Sequence, residues 1–384
     1  MTTEYIYPIP PRADSLQVVN NLLEHMVKIK GSDLFLLGND YAWVSRFGKK
    51  VQVTSRKLSD SEVKNLLAQI YNQNAPSMLG AAQPIDTSHE FVIESQEGTR
   101  FSRQRFRFRV NAVGCLRNGR QSLTVTLRTI PTMPPHWEAY GVEPEIIEVT
   151  RTIDQGLILV VGATGNGKST LLASILRDRI EGPDSHTNLV TIESPIEFVY
   201  DEVNTSNSLV TQLQIGSNVA SFHKGVVNAL RMAPNVILVG ESRDLETVQA
   251  SLEASMTGHG VFSTVHANNV PETFQRLVYV FPEEMQQQAK MDVLQPMKMI
   301  VAQRLIPTVD GGRTAIRELM IFDQQDKDSM MGAGNIATQA FKLVDSHGRP
   351  MIIDAQEKLR QGIISQETFK RVELNYTSMK QQAS

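Results

Sequence analysis

The amino-acid sequence predicts an α/β protein with a mixed α/β N-terminal part and a larger C-terminal part built on a parallel sheet. Before residue 131, the clearest predicted strands alternate apolar and polar side chains, which is typical of strands buried on one face. From about residue 141, short strands that are apolar throughout alternate with helices, which is typical of a parallel sheet covered on both faces. A length of 384 residues also suits about two domains.

The composition excludes several classes of protein. With 41% apolar residues, 21% charged residues and a net charge of −3, the chain resembles a globular protein without general attraction to nucleic acid or anionic lipid. Its single cysteine, Cys115, excludes an internal disulfide and is consistent with a reducing cytoplasm. The start of the chain lacks the features of a signal peptide, and no apolar run approaches the roughly 20 residues that span a bilayer. We therefore expect a cytoplasmic protein that only partners would hold at a membrane.

In the N-terminal part, both helices and strands are predicted. One helix follows Ser15, because apolar residues recur on one of its faces, and another begins at the capping box formed by Ser59 and Glu62. The predicted strands occupy residues 33–37, 41–47, 50–54, 90–95, 103–113 and 122–130. In the strand at 103–113, three arginines lie on the face opposite the apolar residues, and alternation alone would make that face solvated: Arg105, Arg107 and Arg109.

The cluster PTMPP at residues 131–135 disfavours both helix and strand and predicts a linker. The predicted division is therefore an N-terminal domain at 1–130, a linker at 131–140 and a C-terminal domain at 141–384. Apolar strands in the last of these are predicted at residues 157–161, 188–192, 236–239 and 261–265. Beyond Phe322 the chain becomes polar and rich in methionine, and we expect a helical part from about residue 325 that forms either a docking surface or a packing element.

The first predicted strand of the C-terminal part leads into a phosphate-binding loop, LILVVGATGNGKST at residues 157–170. A strand, a glycine-rich turn and a helix in this order allow backbone N–H groups to surround a polyphosphate at the positive end of the helix. Lys168 can reach the β- and γ-phosphates, and the Ser169 hydroxyl can ligate Mg²⁺. The sequence therefore predicts that a nucleoside triphosphate and Mg²⁺ bind at Gly162, Thr164, Gly165, Asn166, Gly167, Lys168, Ser169 and Thr170.

A phosphate loop also needs acids that hold Mg²⁺ and orient water. Glu241 follows the buried strand NVILVG and is the predicted acid on the Mg²⁺ side, acting directly or through a water molecule, although a solvated carboxylate at a strand end would look the same. Glu197 lies in the turn ESPIEF after the preceding strand, where a carboxylate near the γ-phosphate could act as a general base.

Two histidines flank the strand at 261–265. Neither has a partner at metal-ligand spacing, so zinc is not expected. An imidazole at the end of a strand beside the phosphate loop could instead sense the γ-phosphate by hydrogen bonding. We assign this role to His266 and leave His259 open between it and a structural role.

Four blocks of the sequence resemble, in order, the Walker A, Asp-box, Walker B and His-box motifs of the type II/IV secretion and pilus-motor ATPases, the PilT-like superfamily. The blocks are VGATGNGKST, TIESPIEFVY, LRMAPNVILVGESRDLETVQASL and TGHGVFSTVHANN. GSDLFL at 31–36 and the segments at 107–112, 127–131 and 311–321 extend the resemblance to roughly four fifths of the chain.

The resemblance implies a PAS-like N-terminal domain, a RecA-like ATPase domain and a homohexameric ring. It implies that Glu241 is the Walker B acid, Glu197 the residue that activates water and His266 the phosphate sensor. In this family, N-terminal arginines reach the edge of the nucleotide, which points to Arg109 and Arg128. Arg117 or Arg120 lies behind them.

The chain also departs from the family. Ser194 replaces the usual Asp, and Phe35 stands where a histidine is common, so neither role is transferred. The pilus-retraction branch has an AIRNLIRE block that FDQQDKDSMMGAGN does not match. This mismatch favours a motor of the Dot/Icm-type (IVB) secretion and conjugation branch, which would act at the cytoplasmic base of an inner-membrane secretion complex.

Other functions remain as alternatives. A motor for pilus retraction or assembly would use the same chemistry, and a nucleotide-gated binding module would bind ATP with negligible turnover. A GTPase is disfavoured because the chain has no Asn-Lys-x-Asp block. A helicase is disfavoured by the negative net charge and by the near absence of interleaved basic and aromatic residues. We therefore expect no direct contact with nucleic acid.

Overall fold

The computed structural model describes residues 5–97, 100–117 and 119–383. The first four residues lie outside the described residues, and the prediction about a signal peptide rests partly on them. The chain forms two compact units: Met1–Thr132 with Ser194–Phe198, and Met133–Glu193 with Val199–Ser384. A short segment from the middle of the predicted C-terminal domain therefore belongs to the first unit, and no sequence signal predicted this.

The N-terminal unit contains one antiparallel sheet with helices packed on it. Its described helices are α1 (Leu16–Lys28), α2 (Asp60–Ile70) and α3 (Ala75–Gly80). Its described strands are β1 (Asp33–Leu37), β2 (Trp43–Arg46), β3 (Lys49–Gln52), β4 (Ile85–Glu97), β5 (Arg100–Arg117) and β6 (Arg120–Ile130). They pair in the order β3-β2-β1-β6-β5-β4, and each described pair of neighbours is antiparallel.

Local sequence signals explain how the helices of this unit begin. The predicted capping box is confirmed, since the Ser59 hydroxyl accepts from the Glu62 amide at 3.2 Å and the Glu62 carboxylate accepts from the Ser59 amide at 2.8 Å. Arg56 also pairs with Glu62 and, with the capping bonds, holds the pKa of that carboxyl at about 2. Ser15 occupies the N-cap position of α1, but its side chain makes no capping hydrogen bond.

The solvated face that alternation alone would give β5 does not include Arg107. Phe106, Phe108 and Val110 are buried as predicted, but Arg107 is also buried, with 4% of its surface exposed. Its guanidinium donates to the carbonyl oxygens of the segment 194–198, which covers this part of the strand. Alternation along one strand indicates two faces but not what packs on the second.

The C-terminal unit is built on a mostly parallel sheet. Its described strands are β7 (Gly156–Val161), β8 (Asn188–Glu193), β9 (Leu209–Gln214), β10 (Val236–Val239), β11 (Gly260–Val265), β12 (Met297–Pro307) and β13 (Arg313–Ile321). The order is β13-β12-β7-β11-β10-β8-β9, in which only the pair β12–β13 is antiparallel among the described strands. The four predicted apolar strands correspond to β7, β8, β10 and β11, whereas β9, β12 and β13 were not predicted.

Helices cover both faces of this sheet. The described helices are α4 (Pro144–Thr152), α5 (Lys168–Glu181), α6 (Phe222–Ala229), α7 (Leu245–Met256), α8 (Val270–Tyr279), α9 (Gln286–Leu294), α10 (Gln324–Gly332), α11 (Ile336–Ser346), α12 (Met351–Arg360) and α13 (Gln366–Ala383). One cluster of buried apolar residues joins the sheet to α4 and α5, and a second cluster joins it to the helices α6–α13. Because β7, β10 and β11 are buried at every residue, the sheet is the central layer of this unit.

The tail beyond Phe322 is a packing element. Val344, Ala355 and Val372 are buried in the same cluster as the sheet. The part expected to be helical from about residue 325 contains the described helices α10–α13, and the chain turns between α12 and α13 with Gly362 in the left-handed region at φ 71°. No helix in the described ranges combines the length and the apolar character that a membrane crossing requires.

Candidate nucleotide site

The carboxyl ends of neighbouring parallel strands bring most of the predicted site residues to one edge of the sheet. The phosphate loop follows β7, His266 follows β11, and Glu241 lies two residues beyond the end of β10. These three strands are adjacent in the order β7-β11-β10. Ligands of open parallel sheets bind outside the carboxyl ends of the strands, so this edge is the candidate site.

Glycines give the phosphate loop its shape. Gly162, Gly165 and Gly167 have φ values of 154°, 80° and 74°, which side chains disfavour. A Cβ on Gly162 would also lie 2.4 Å from the Gln303 carbonyl oxygen, so the loop needs glycine there to approach β12. The amide N–H groups of Gly165 and Gly167 donate to no group in the described part of the chain. They are therefore suited to binding an anion.

Lys168 and Ser169 begin helix α5 at this loop. Lys168 is 8% exposed, and its ammonium donates to the carbonyl oxygens of Gly162 at 2.8 Å and Ala163 at 3.3 Å. Ala163, Thr164 and Gly165 are exposed at the tip of the loop. A cation, unpaired amides and a helix N-terminus together favour a polyphosphate.

Asn166 is held by β12, a strand that was not predicted from the sequence. The Gln303 side-chain amide donates to the Asn166 carbonyl oxygen at 2.7 Å, and the Leu305 backbone amide donates to the Asn166 side-chain oxygen at 3.1 Å. No sequence signal marked Gln303, because it lies in an apolar strand that was not predicted.

The Glu241 carboxylate lies between two basic side chains. Its Oε1 is 3.3 Å from His266 Nε2, and its Oε2 is 4.0 Å from Arg243 Nη1. Behind it, the Thr264 hydroxyl donates to the Gly240 carbonyl oxygen at 2.6 Å and fixes the end of β10 against β11. The structure therefore brings Glu241 and His266 together, as a shared site requires.

The donor set at this edge suits Mg²⁺ rather than a metal bound by many protein ligands. The described residues contain no cluster of three or more His, Cys, Asp or Glu side chains that could hold an ion. Mg²⁺ typically uses one or two carboxylates or hydroxyls and completes its octahedron with water and phosphate oxygens. The Ser169 hydroxyl and the Glu241 carboxylate fit that requirement.

Glu193 and His259 occupy different ends of their strands. Glu193 ends β8 at the candidate edge, where its carboxylate accepts from the Thr191 hydroxyl at 2.7 Å and from Gln212 at 3.3 Å. His259 precedes β11 at the opposite end, and its ring lies 3.1 Å from the Ala254 carbonyl oxygen. The structure therefore favours the structural role for His259.

Glu197 belongs to the N-terminal unit, in the segment Ser194–Phe198, whose Ser194–Pro195 peptide is cis. Arg107 donates to the carbonyl oxygens of Glu197 and Ile196, both at 2.8 Å, and to that of Pro131 at 3.3 Å. A planar guanidinium matches this divergent set of acceptors better than a lysine would. Arg107 therefore fixes the backbone that bears Glu197.

The two predicted nucleotide-edge arginines each pair with a carboxylate of the N-terminal unit. Arg109 donates from Nε to Asp86 at 3.1 Å, and this bond together with the charge of Glu197 raises the pKa of Arg109. Arg128 donates from Nε to Asp33 at 2.6 Å. Behind them, Arg117 pairs with Asp40 at 2.7 Å.

Comparison with known proteins identifies the family. Residues 12–373 match the family described as "Type II/IV secretion system protein". The crystal structure of the ATPase DotB from Legionella pneumophila is 38% identical, superposes with a TM-score of 0.88 and covers 97% of this chain and 100% of its own.

Two pilus proteins are also similar. The structure of the pilus retraction motor PilT with bound ADP is 29% identical, with a TM-score of 0.75, and covers 93% of this chain and 96% of its own. The type IV pilus ATPase PilU of Pseudomonas aeruginosa is 33% identical over 303 residues, which are 78% of this chain and 73% of PilU. With the family match over residues 12–373, the chain belongs to the type II/IV secretion system protein family.

Proposed function

We propose that this chain is an ATPase that acts as the motor of a type IVB secretion or conjugation system. The observation that supports the proposal most strongly is the shared edge of the parallel sheet. There the phosphate loop, Glu241 and His266 follow three adjacent strands. The similarity to DotB over nearly the whole chain supports the choice of client.

We assign the following chemistry to the predicted residues. Lys168 and the loop amides bind the β- and γ-phosphates of ATP, and Ser169 and Glu241 hold Mg²⁺. When bound, Mg²⁺ neutralises charge on the phosphoryl group. Glu197 takes a proton from water as the water oxygen bonds to the γ-phosphorus and the bond to the ADP oxygen breaks. His266, beside Glu241, senses the γ-phosphate by hydrogen bonding.

The architecture that we propose follows the family. The N-terminal domain at 1–130 is PAS-like, residues 131–140 are a linker, and residues 141–384 form a RecA-like ATPase domain. Six copies form a ring by head-to-tail contacts. Arg109 and Arg128 then exchange Asp86 and Asp33 for the edge of the nucleotide, and hydrolysis releases them, so that one domain swings about the linker.

The ring would act at the cytoplasmic face of the inner membrane, recruited by proteins of the secretion complex. A pilus motor is the second candidate, because PilU and PilT are also similar to this chain. Co-purification from membranes of the native bacterium separates the two. Secretion-complex proteins retained with ATP support the proposal, and pilus-assembly proteins in their place support the alternative.

The Glu197→Gln variant tests the enzymatic part. It should bind ATP and assemble, yet release phosphate at least about 100-fold more slowly than the unmodified chain, because the amide cannot accept the proton. Glu94→Gln, which changes an exposed carboxylate of the same unit, is the control and should retain turnover. Normal turnover by Glu197→Gln would remove Glu197 as the base, and negligible turnover by the unmodified chain on its partner complex would favour a nucleotide-gated binding module.

A further inference from the structure

Strand β12 lies along the start of the phosphate loop. It runs parallel to β7, with Val301 opposite Val160 and Ala302 opposite Val161. The next residue, Gln303, is therefore level with Gly162, and its carbonyl oxygen occupies the space where a Cβ of Gly162 would lie. Gln303 is 5% exposed, so the contacts of its side chain are shielded from water.

The Gln303 side chain has a partner at each polar atom of its amide. Its Nε2 donates to the Asn166 carbonyl oxygen at 2.7 Å, and its Oε1 accepts from Arg317 Nε at 2.8 Å. An arginine can only donate, so Arg317 requires the oxygen of the amide on its side and the nitrogen on the side of the loop. Arg317 therefore sets the orientation in which Gln303 can hold Asn166.

Arg317 is itself fixed. It is 2% exposed and donates to the Gly141 carbonyl oxygen at 2.9 Å and to the Glu143 carboxylate at 3.0 Å. Its backbone amide donates to the Asp354 carboxylate at 2.8 Å. A buried guanidinium with this many acceptors has little freedom to reorient.

The hydrogen bond to Asn166 determines the direction of an amide in the loop. The peptide between Asn166 and Gly167 is planar and trans, so its C=O and N–H groups point in opposite directions. Since the C=O points to Gln303, the Gly167 N–H points away from β12. That N–H donates to no group in the described residues, and Gly167 is the N-cap residue of α5.

We propose that Gln303, oriented by Arg317, is a positioning residue that fixes the Asn166–Gly167 peptide so that the Gly167 N–H can bind a nucleotide phosphate. The inference rests on the proposed function and adds to it a residue outside the loop motif. Without the Gln303 donor, rotation of this peptide would turn a carbonyl oxygen toward the phosphate, which repels it. Preorganisation of the amide is thus supplied by a side chain more than 130 residues further along the chain.

The test compares ADP binding to the full chain and to two variants by titration calorimetry. Gln303→Glu keeps the acceptor for Arg317 but cannot donate to Asn166 when charged, and Gln303→Met keeps the approximate volume without either polar atom. We expect each variant to bind ADP about tenfold or more weakly than the unmodified chain. Gln303→Glu should melt close to the unmodified chain, whereas Gln303→Met should melt lower but remain folded, because the buried Arg317 loses an acceptor.

Gln155→Glu is the matched control. Gln155 also donates its side-chain amide to a distant carbonyl oxygen, that of Met256 at 2.6 Å, but it precedes β7 at the opposite end of the strand. This variant should bind ADP as the unmodified chain does.

Unchanged ADP affinity in either folded variant would overturn the proposal. Failure of both variants to fold would also overturn it, because Gln303 would then serve only the core. An unmodified chain that does not bind ADP would instead contradict the proposed function, and the role of Gln303 with it.

Discussion

Buried arginines organise the backbone beside the proposed functional residues. Arg107 holds the carbonyl oxygens of Ile196 and Glu197 in the N-terminal unit, and Arg317 orients Gln303 beside the phosphate loop in the C-terminal unit. Each guanidinium satisfies several acceptors at once, which a single lysine ammonium at the same position cannot do in the same geometry. These contacts join segments that are far apart in the sequence.

Replacing Arg107 by lysine tests the first of these contacts. We expect the free energy of unfolding to fall by about 1–3 kcal/mol, because buried carbonyl oxygens lose donors. Turnover of ATP should fall roughly tenfold with little change in KM, because Glu197 would be misplaced while the phosphate loop is intact. Steady-state kinetics and urea unfolding measure the two effects.

Arg103→Lys provides the control for that experiment, since Arg103 is an exposed residue of the same strand. It should leave both turnover and stability near those of the unmodified chain. Equal kinetics for Arg107→Lys and Arg103→Lys would show that the backbone contact with Glu197 has no catalytic consequence.

The phosphate loop, Glu241 and His266 were predictable because each follows a short apolar strand in the sequence, and parallel strands end at a common edge. Gln303 and Arg107 were not predictable in the same way. The role of Gln303 depends on β12 lying beside β7, and that of Arg107 depends on the segment 194–198 covering one face of β5. Pairing between distant segments is not encoded in local periodicity.

At the scale of elements, a buried carboxylate joins the ends of helices. Glu318, on β13, is 4% exposed, and its Oε1 accepts from the Val270 amide at the start of α8 at 2.7 Å. The amide of Met351, at the start of α12, also bonds to it. Burial raises the pKa of Glu318 to about 7, although the two amides and the charge of Arg304 oppose that rise.

This pKa predicts a pH dependence of stability. A carboxyl with an ordinary pKa of 4.5 in the unfolded chain and about 7 in the folded chain stabilises the fold when protonated. Its contribution is fully present below pH 4.5 and is lost as the pH rises through 7. The total change is on the order of 3 kcal/mol, because each pKa unit corresponds to about 1.4 kcal/mol.

Glu318→Gln removes that titration and keeps an oxygen that can accept from Val270. Urea unfolding of both proteins at about pH 5 to pH 8, a range that spans the titration, measures the difference in their free energies of unfolding. We expect the unmodified chain to lose stability relative to the variant over this range. A constant difference would show that Glu318 does not titrate there.

The unpredicted strands depart in two ways from the pattern of apolar strands that alternate with helices. Strands β12 and β13 follow each other as an antiparallel hairpin, with no helix between them. Strand β9 is only partly buried and contains the polar residues Thr211, Gln212 and Gln214. Edge strands of this kind give a weak hydrophobic signal, so their assignment depends on the neighbour with which they pair.

At the scale of the whole molecule, the proposed motor requires assembly. Light scattering with Mg²⁺ and ATP should give the Glu197→Gln variant a mass close to six times the 42.8 kDa of one chain, because slow hydrolysis preserves the ATP-bound ring. Samples without nucleotide are the comparison. A mass of one or two chains at every protein and nucleotide concentration would contradict the ring, though not the binding of nucleotide.

The division into two units was partly visible in the sequence. The change from alternating to fully apolar strands and the PTMPP cluster pointed to a boundary near residue 131. The inclusion of 194–198 in the first unit had no comparable signal, since a short loop can pack on either side of a domain boundary. It follows that Glu197 and the phosphate loop belong to different units of one chain.

The most direct test of the account is Lys168→Ala, measured as ADP affinity and as phosphate release from ATP by the full chain. Removing the buried ammonium should weaken ADP binding by at least tenfold and reduce turnover to background, since a charge-assisted contact with the phosphates is lost. Lys224→Ala, at an exposed lysine, should change neither quantity. Nucleotide affinity and turnover equal to those of the unmodified chain in Lys168→Ala would contradict the central claim that this loop binds and cleaves ATP.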